Sequence, residues 1–153
     1  MTGLELKIPP DVVWVVVAAF MWLASPLTPR IAVETPIRIG LAGVLVVLGG
    51  GLIIAARVTL NRACTTWHPS RPDSASHLVM AGVFRYSRNP TYLGMLLILL
   101  GWAVLLGSPL TLALTVLFVV YLNRFQIRPE ERALSAIFGR EYDGYERRVR
   151  RWF

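Results

Sequence analysis

The sequence predicts an all-α integral membrane protein with about four transmembrane helices, a tight helical hairpin near the C-terminus and a cytoplasmic amphipathic tail. The first reason is composition: 55% of the 153 residues are hydrophobic and only 16% are charged, whereas soluble domains average about 25% charged residues. The second is the recurrence of long uncharged stretches, since a helix needs about 20 apolar residues to cross a bilayer. The length suits a single domain over residues 1–153.

The first two spans lie in the N-terminal third of the chain. We expect the first at residues 12–29, where the uncharged run Val12–Ser25 is too short by itself and needs added length from Ile8–Pro10 or Pro26–Pro29. The second is expected at residues 37–56, where the run Gly49–Gly51 would let a neighbouring helix approach closely.

The third and fourth spans form the hairpin. No charged residue occurs from Thr91 to Asn123, which is too long for one span. Gly107 suits the end of one helix and Pro109 the first turn of the next. We therefore expect spans at residues 91–107 and 109–125.

The basic residues predict the orientation. The chain carries 16 Lys and Arg against 9 Asp and Glu. Most of the arginines fall in residues 57–90 or near residues 126–153, and only Arg30 and Arg38 lie on the other face. Positive charge collects in cytoplasmic loops, so both polar segments and both termini should be cytoplasmic. The N-terminus shows no secretory signal, because Met1–Pro10 includes Glu5 and two prolines.

The tail after the hairpin is expected to be helical. Pro129 with two following glutamates is typical of a helix start, and Gly139 of a helix end. Beyond it, aromatic and apolar residues recur at helical spacing while arginines fill the other positions. That segregation predicts an amphipathic helix in the headgroup layer and disfavours nucleic-acid binding. The apolar positions are Tyr142, Tyr145, Val149 and Trp152.

Two polar clusters flank the hairpin, at Gly82–Gly94 and Arg124–Glu131. A hairpin returns to the same membrane face, so we expect these clusters to be neighbours. Together they supply arginines, an amide, two carboxylates and aromatics, which suits a polar, zwitterionic cofactor whose reaction partner arrives from the lipid. Taken singly, such residues at helix ends are common structural features.

These motifs resemble the superfamily of isoprenylcysteine carboxyl methyltransferases and phospholipid methyltransferases. Its signature, Arg-His/Asn-Pro-x-Tyr-x-Gly before a hydrophobic hairpin, reads here as Arg88 to Gly94. After the hairpin the family has Glu-Glu, Leu, Phe-Gly, two tyrosines and a Val-x-Arg ending. The matching residues are Glu130, Glu131, Leu134, Phe138, Gly139, Tyr142, Tyr145, Val149 and Arg151. The resemblance covers roughly residues 57–153.

The resemblance implies S-adenosylmethionine-dependent methyl transfer to a lipophilic small molecule or lipid at the cytoplasmic face of a prokaryotic inner membrane. Its implied cofactor contacts are Arg88, Asn89, Tyr92, Gly94, Glu131, Tyr142 and Tyr145. The implied catalytic residues are Glu130, Glu131 and Arg128, and the implied substrate contacts are Arg124 and Gln126.

Two departures from the family pattern affect the chemistry. Asn89 stands where the family often has His, so it can hydrogen-bond but cannot act as a base near neutral pH. Gln126 stands where prenylcysteine-type members carry an Arg for the substrate carboxylate. The acceptor is therefore left open between an amine, a thiol and a carboxylate, and an anionic acceptor would need Arg124 or Arg128.

Other classes of function are disfavoured. No metal site is expected, because Cys64, His68, Asp73 and His77 lack a metal-ligand spacing. A small four-span transporter usually needs an ionisable group inside the bilayer, and no Asp, Glu, Lys or His falls within the predicted spans. A non-catalytic membrane adaptor remains the other alternative, although both polar motifs are retained. The sequence leaves the oligomeric state open.

Overall fold

The computed structural model describes residues 5–63 and 78–153, and its regular elements are all helical. Four residues considered above as metal ligands, Cys64, His68, Asp73 and His77, lie outside the described residues. The elements in chain order are α1 (Pro10–Ala24), a 3-10 turn (Ser25–Leu27), α2 (Thr35–Arg62), a second 3-10 turn (Gly82–Arg85), α3 (Pro90–Leu106), α4 (Pro109–Leu122), a π-helical turn (Asn123–Ile127), α5 (Arg128–Phe138) and α6 (Arg140–Arg148).

Three helical stretches are long and apolar enough to cross a membrane, namely Pro10–Leu27, Thr35–Arg62 and Pro109–Phe138. Helix α3 is apolar but has only 17 residues, or about 26 Å at 1.5 Å per residue. Large apolar side chains on these helices are exposed, such as Phe20 at 59% and Val47 at 73%. Such a surface is suited to lipid and supports an integral membrane protein. The count of four spans and their orientation stay predictions.

The first two helices differ from the predicted apolar spans at their ends. Helix α1 begins at Pro10, two residues before the predicted start, and with the 3-10 turn ends at Leu27, two residues before the predicted end at residue 29. Helix α2 continues six residues past residue 56, because a charge at Arg57 ends the apolar run without breaking the helix. The Thr59 hydroxyl donates to the Ala55 carbonyl within this extension, at 2.8 Å.

The predicted hairpin is confirmed at its turn. Gly107 caps α3 in the left-handed conformation, with φ of 68°, and its N–H donates to the carbonyl of Ala103. Pro109 then occupies the first turn of α4. A left-handed position favours glycine because it carries no Cβ, so local chemistry fixes this turn.

Helices α2 and α3 approach each other through glycines. A Cβ added to Gly49 would lie 2.6 Å from the backbone oxygen of Gly94, and a Cβ added to Gly94 would lie 2.5 Å from that of Gly49. This confirms the expected close approach at Gly49, whereas Gly50 and Gly51 face open space.

Helix α1 packs against the hairpin through two tryptophans. The indole of Trp14 donates to the Met95 carbonyl at 3.0 Å, and that of Trp102 donates to the Ala18 carbonyl at 3.1 Å. A buried cluster that includes Leu99 fills the space between these helices. These contacts fix the hairpin relative to α1.

The tail differs from the predicted continuous amphipathic helix. Helix α6 ends at Arg148, and Val149 is extended. Tyr142, Tyr145 and Val149 are buried against a cluster of partly buried side chains, Leu78, Met80, Leu134 and Phe138. The apolar face of the tail therefore covers protein surface, which leaves these three side chains unavailable to the bilayer.

Candidate functional site

The motif before α3 is bonded to the last residues of the chain. The backbone N–H of Arg88 donates to the Arg150 carbonyl at 3.0 Å. The side-chain amide of Asn89 donates to the Arg151 carbonyl, also at 3.0 Å. Ser87, which is buried, accepts from the Asn89 backbone N–H at 3.1 Å. These bonds require a non-helical backbone after Arg148, where Val149 is extended, and explain why α6 ends there.

Four charged side chains form what we call the carboxylate–guanidinium cluster: Arg88, Glu131, Glu146 and Arg151. Glu131 accepts two hydrogen bonds from Arg151, at 2.9 and 2.6 Å, in a forked arrangement. Arg88 lies 3.3 Å from Glu131 and 2.5 Å from Glu146. The side chains of Arg88 and Glu131 are only 9% and 13% exposed. Removal of one partner from such a buried group leaves an uncompensated charge and is costly.

The local environment shifts the pKa values of this cluster and its neighbours. Burial by itself would lower the pKa of Arg88, but the hydrogen bond to Glu146 and the charge of Glu131 outweigh it and raise the pKa. Burial, followed by the negative charge of Glu131, raises the pKa of Tyr142 to about 12. Burial likewise raises the pKa of Tyr145 well above its ordinary value. The phenols of Tyr142 and Tyr145 are therefore neutral, and the guanidinium of Arg88 is charged, near pH 7.

The two tyrosines of α6 close the cluster on one side. The Tyr142 hydroxyl accepts from Arg88 at 3.5 Å, and the Tyr145 hydroxyl donates to the Phe84 carbonyl at 2.7 Å. Their rings lie edge to face with centroids 6.2 Å apart. The two hydrogen bonds anchor the tail to the segment before α3.

The adjacent carboxylate faces a different partner. The Tyr92 hydroxyl donates to Glu130 Oε1 at 2.5 Å. Tyr92 lies in the first turn of α3 and Glu130 in the first turn of α5. The two ends of the hairpin are thus joined by this bond and by the Arg88–Glu131 contact.

The π-helical turn contains the polar residues that follow α4. Asn123 Oδ1 accepts from the indole of Trp152 at 3.3 Å. Gln126 is buried, and its Nε2 donates to the Ile8 carbonyl at 2.5 Å. Its Oε1 is buried with no hydrogen-bond partner among the described residues. Single π-turns within helices occur frequently at functional sites.

The structure thus brings together most of the residues that the sequence singled out. Arg88, Asn89, Tyr92, Glu130, Glu131, Tyr142 and Tyr145 lie around the junction of α3, α5 and α6. Gly94 faces α2, where helix packing already requires a glycine. Arg124 lies against the N-terminal segment, 3.1 Å from Glu5, and Arg128 is exposed. The proposed roles of all these residues stay predictions.

Sequence reasoning gave no role to several residues that take part in the site. Arg151 belongs to the Val-x-Arg ending of the family pattern, and that pattern is the signal in the sequence that points to it. Glu146 contacts Arg88 across 58 residues of chain, Glu5 contacts Arg124 across 119, and no local pattern indicates such contacts. Residues 5–63 and 78–153 contain no group of three or more His, Cys, Asp or Glu side chains that could hold a metal ion.

Comparison with known proteins confirms the resemblance. A family model described as phospholipid methyltransferase matches residues 37–141. An uncharacterized protein of Haemophilus influenzae is 46% identical over 61 residues, which cover 40% of this chain and 97% of that protein. A probable protein-S-isoprenylcysteine O-methyltransferase of Oryza sativa subsp. indica is 36% identical over 109 residues, 69% of this chain and 56% of that protein.

The yeast relative shows the same partial coverage. The protein-S-isoprenylcysteine O-methyltransferase of Saccharomyces cerevisiae is 34% identical over 108 residues, 69% of this chain and 44% of that protein. The match thus spans about half the length of these two named relatives. No solved structure matches the chain significantly. The family model covers more than half of the chain, and the apolar helices agree with it, so this chain is a membrane protein of the phospholipid methyltransferase family.

Proposed function

We propose that this protein, as a single domain, transfers a methyl group from S-adenosylmethionine to a lipophilic small molecule or lipid. The observation that supports the proposal most strongly is the carboxylate–guanidinium cluster, which lies at the junction of the hairpin ends in a chain of this family. The arginine distribution supports a reaction at the cytoplasmic face, and we place the protein in a prokaryotic inner membrane.

The residues of the cluster fit an amino-acid-like cofactor. The Nε of Arg88 is buried with no hydrogen-bond partner among residues 5–63 and 78–153. A buried donor without a partner is costly, and a cofactor carboxylate would satisfy it. Glu131 is an acceptor for a cofactor ammonium group and lies within the same cluster. When bound, S-adenosylmethionine supplies an electrophilic methyl group carried on a sulfonium cation.

The side chains of this chain have three tasks in the proposed reaction. Arg88 and Glu131 bind and orient the cofactor. Tyr142 and Tyr145 remain neutral because their pKa values are raised, so they line the site without adding a competing negative charge. Glu130 accepts the proton that an amine or thiol acceptor releases, whereas a carboxylate acceptor has no proton to lose. Positioning and exclusion of water are the larger contributions to such a displacement.

The exposed apolar faces support a lipophilic acceptor. Helices α1, α2 and α4 expose large apolar side chains, including Phe20, Val47 and Leu117. An acceptor dissolved in the bilayer can approach the site between such helices, while its polar end reaches the arginines and carboxylates at the hairpin ends.

A titration of the detergent-purified protein with S-adenosylmethionine tests the cofactor assignment. We expect saturable binding to the wild type, and a loss of about tenfold in affinity for Arg88→Lys, which removes the Nε–H donor and the planar fork. Arg140→Lys is the matched control, since Arg140 is exposed at the start of α6, and it should bind like the wild type. Absence of saturable binding to the folded wild type would contradict the proposal.

A further inference from the structure

The N-terminal strap, defined as residues 5–9, lies against the π-helical turn. The backbone N–H of Leu6 donates to the Phe125 carbonyl at 3.1 Å, and Gln126 donates to the Ile8 carbonyl. Leu6 has a φ of 58°, a left-handed conformation that is unfavourable for a residue with a Cβ. Such conformations persist where surrounding contacts determine them, and they concentrate at functional sites.

The strap places one carboxylate between two guanidiniums. Glu5 Oε1 lies 3.1 Å from Arg124, and Oε2 lies 2.7 Å from Arg132. The Glu5 side chain is 6% exposed, whereas those of Arg124 and Arg132 are 42% and 56% exposed. Guanidinium groups are the preferred partners of carboxylate and phosphate groups. Arg124 and Arg132 can therefore bind an oxyanion, and the side chains of both are partly exposed.

Gln126 does not supply this chemistry. Its amide is neutral, it is buried, and its nitrogen is already bonded to the strap. Arg128, the other cation considered from the sequence, is exposed. Arg132 directly follows Glu131 on α5, so it lies on the same helical turn as the two glutamates of the proposed reaction site, although its side chain points to a different face of the helix.

We propose that Arg124 and Arg132 form an oxyanion subsite for the methyl acceptor, and that Glu5 is a tethered carboxylate which fills the subsite until the acceptor replaces it. The acceptor is then a lipophilic molecule that carries a carboxylate or a phosphate. In naming the ligand as the acceptor, this inference rests on the proposed function. The anion-dependent release of the strap does not depend on methyl transfer.

A tethered carboxylate selects against small soluble anions. Because Glu5 is part of the chain, its effective concentration at the arginines is of the order of millimolar or higher. Inorganic phosphate competes only by charge, whereas an amphiphilic anion also gains from burial of its apolar chain and is concentrated by the bilayer. The subsite therefore distinguishes a lipid-like anion from a free one.

The position of the strap is measurable without any turnover. Spin labels are placed at the exposed positions Lys7→Cys and Ala136→Cys in a Cys64→Ser background, with the full chain in phosphatidylcholine nanodiscs. Dodecyl phosphate and dodecanoate should lengthen the distance between the labels, and dodecanol should leave it unchanged. Glu5→Gln should show the long distance without any ligand. If neither amphiphilic anion changes the distance between the labels, or if dodecanol changes it equally, the oxyanion subsite is wrong. If inorganic phosphate at the same concentration releases the strap, the selection for a lipophilic anion is wrong.

Kinetics give a second, independent test. With an anionic lipophilic acceptor, Glu5→Gln should lower the KM by about tenfold and Arg132→Gln should raise it by about tenfold, while Arg140→Gln should leave it unchanged. Equal effects of Arg132→Gln and Arg140→Gln would contradict a specific subsite. Should strap release occur without transfer to any acceptor, the proposed function fails and the oxyanion subsite stands. Should transfer occur without anion-dependent release, the subsite fails and the proposed function stands.

Discussion

Glu131→Ala tests the centre of the proposed cofactor site. Glu131 accepts two hydrogen bonds from Arg151 and lies 3.3 Å from Arg88. The substitution leaves both guanidiniums without this partner. Water can replace part of the hydrogen bonding that Arg151 loses, because the Arg151 side chain is 30% exposed. The Arg88 side chain is only 9% exposed and stays desolvated.

The contacts with Arg151 and Arg88 contribute to stability, whereas the change in affinity comes from the proposed bond between Glu131 and the cofactor ammonium group. A hydrogen bond between charged groups contributes roughly 1.5–3 kcal/mol. We therefore expect a loss of about 2–3 kcal/mol, equivalent to a decrease of roughly 30- to 150-fold in affinity for S-adenosylmethionine. Isothermal titration calorimetry of the detergent-solubilised protein measures this change, with size-exclusion chromatography to establish that the variant is folded.

Glu146→Ala is the matched control for this experiment. Glu146 also contacts Arg88, but its side chain is 46% exposed and Arg88 would retain Glu131. We expect an affinity change of less than about threefold, as for other exposed ion pairs. If Glu131→Ala does not fold, Arg151→Lys retains the charge and loses the fork, and should still weaken binding. Equal affinities of Glu131→Ala and Glu146→Ala would refute the reasoning.

Three further predictions concern packing, topology and pH. Gly94→Ala should destabilise the protein by about 1–3 kcal/mol, because the new Cβ would lie 2.5 Å from a backbone oxygen on α2. Gly50→Ala is the control and should not destabilise the protein, because Gly50 has open space around it. Thermal unfolding in detergent measures both variants. In a Cys64→Ser background, cysteines at Ile31 and Arg150 should react with membrane-impermeant reagents from opposite sides, and labelling from the same side would contradict the orientation. The pKa of Tyr142 is raised to about 12, above its value in an unfolded chain, so its contribution to stability is fully present below about pH 10 and is lost as the pH rises through 12. Tyr142→Phe should reduce this loss of stability at alkaline pH when the free energy of unfolding is measured as a function of pH. An unchanged pH profile would show that Tyr142 does not cause the loss.

The parts of the structure that sequence could predict are those fixed locally. Gly107 and Pro109 place the hairpin turn through their own backbone preferences, and the hydrophobic runs locate the helices. The Gly49–Gly51 run indicates a close helix neighbour because small residues admit one. Each of these features depends on residues that are adjacent in the chain.

The remaining features depend on contacts between distant residues. Helical spacing predicts that the tail helix continues to Trp152, but the chain leaves the helix after Arg148, and the segment before α3 donates hydrogen bonds to the carbonyls of Arg150 and Arg151. Tyr142 and Tyr145 are buried against protein. The pairing of Glu5 with Arg124 joins positions 119 residues apart, and no periodicity in the sequence encodes it.

The transfer of a labelled methyl group tests the central claim most directly. The purified protein in nanodiscs of prokaryotic lipid extract is incubated with S-adenosylmethionine that carries tritium in its methyl group, and the label is then partitioned between organic and aqueous phases. The account predicts that label enters the organic phase with wild-type protein and is strongly reduced with Glu131→Ala. Label that stays in the aqueous phase with a folded, cofactor-binding wild type, whichever lipophilic amine, thiol or acid is supplied, would contradict it.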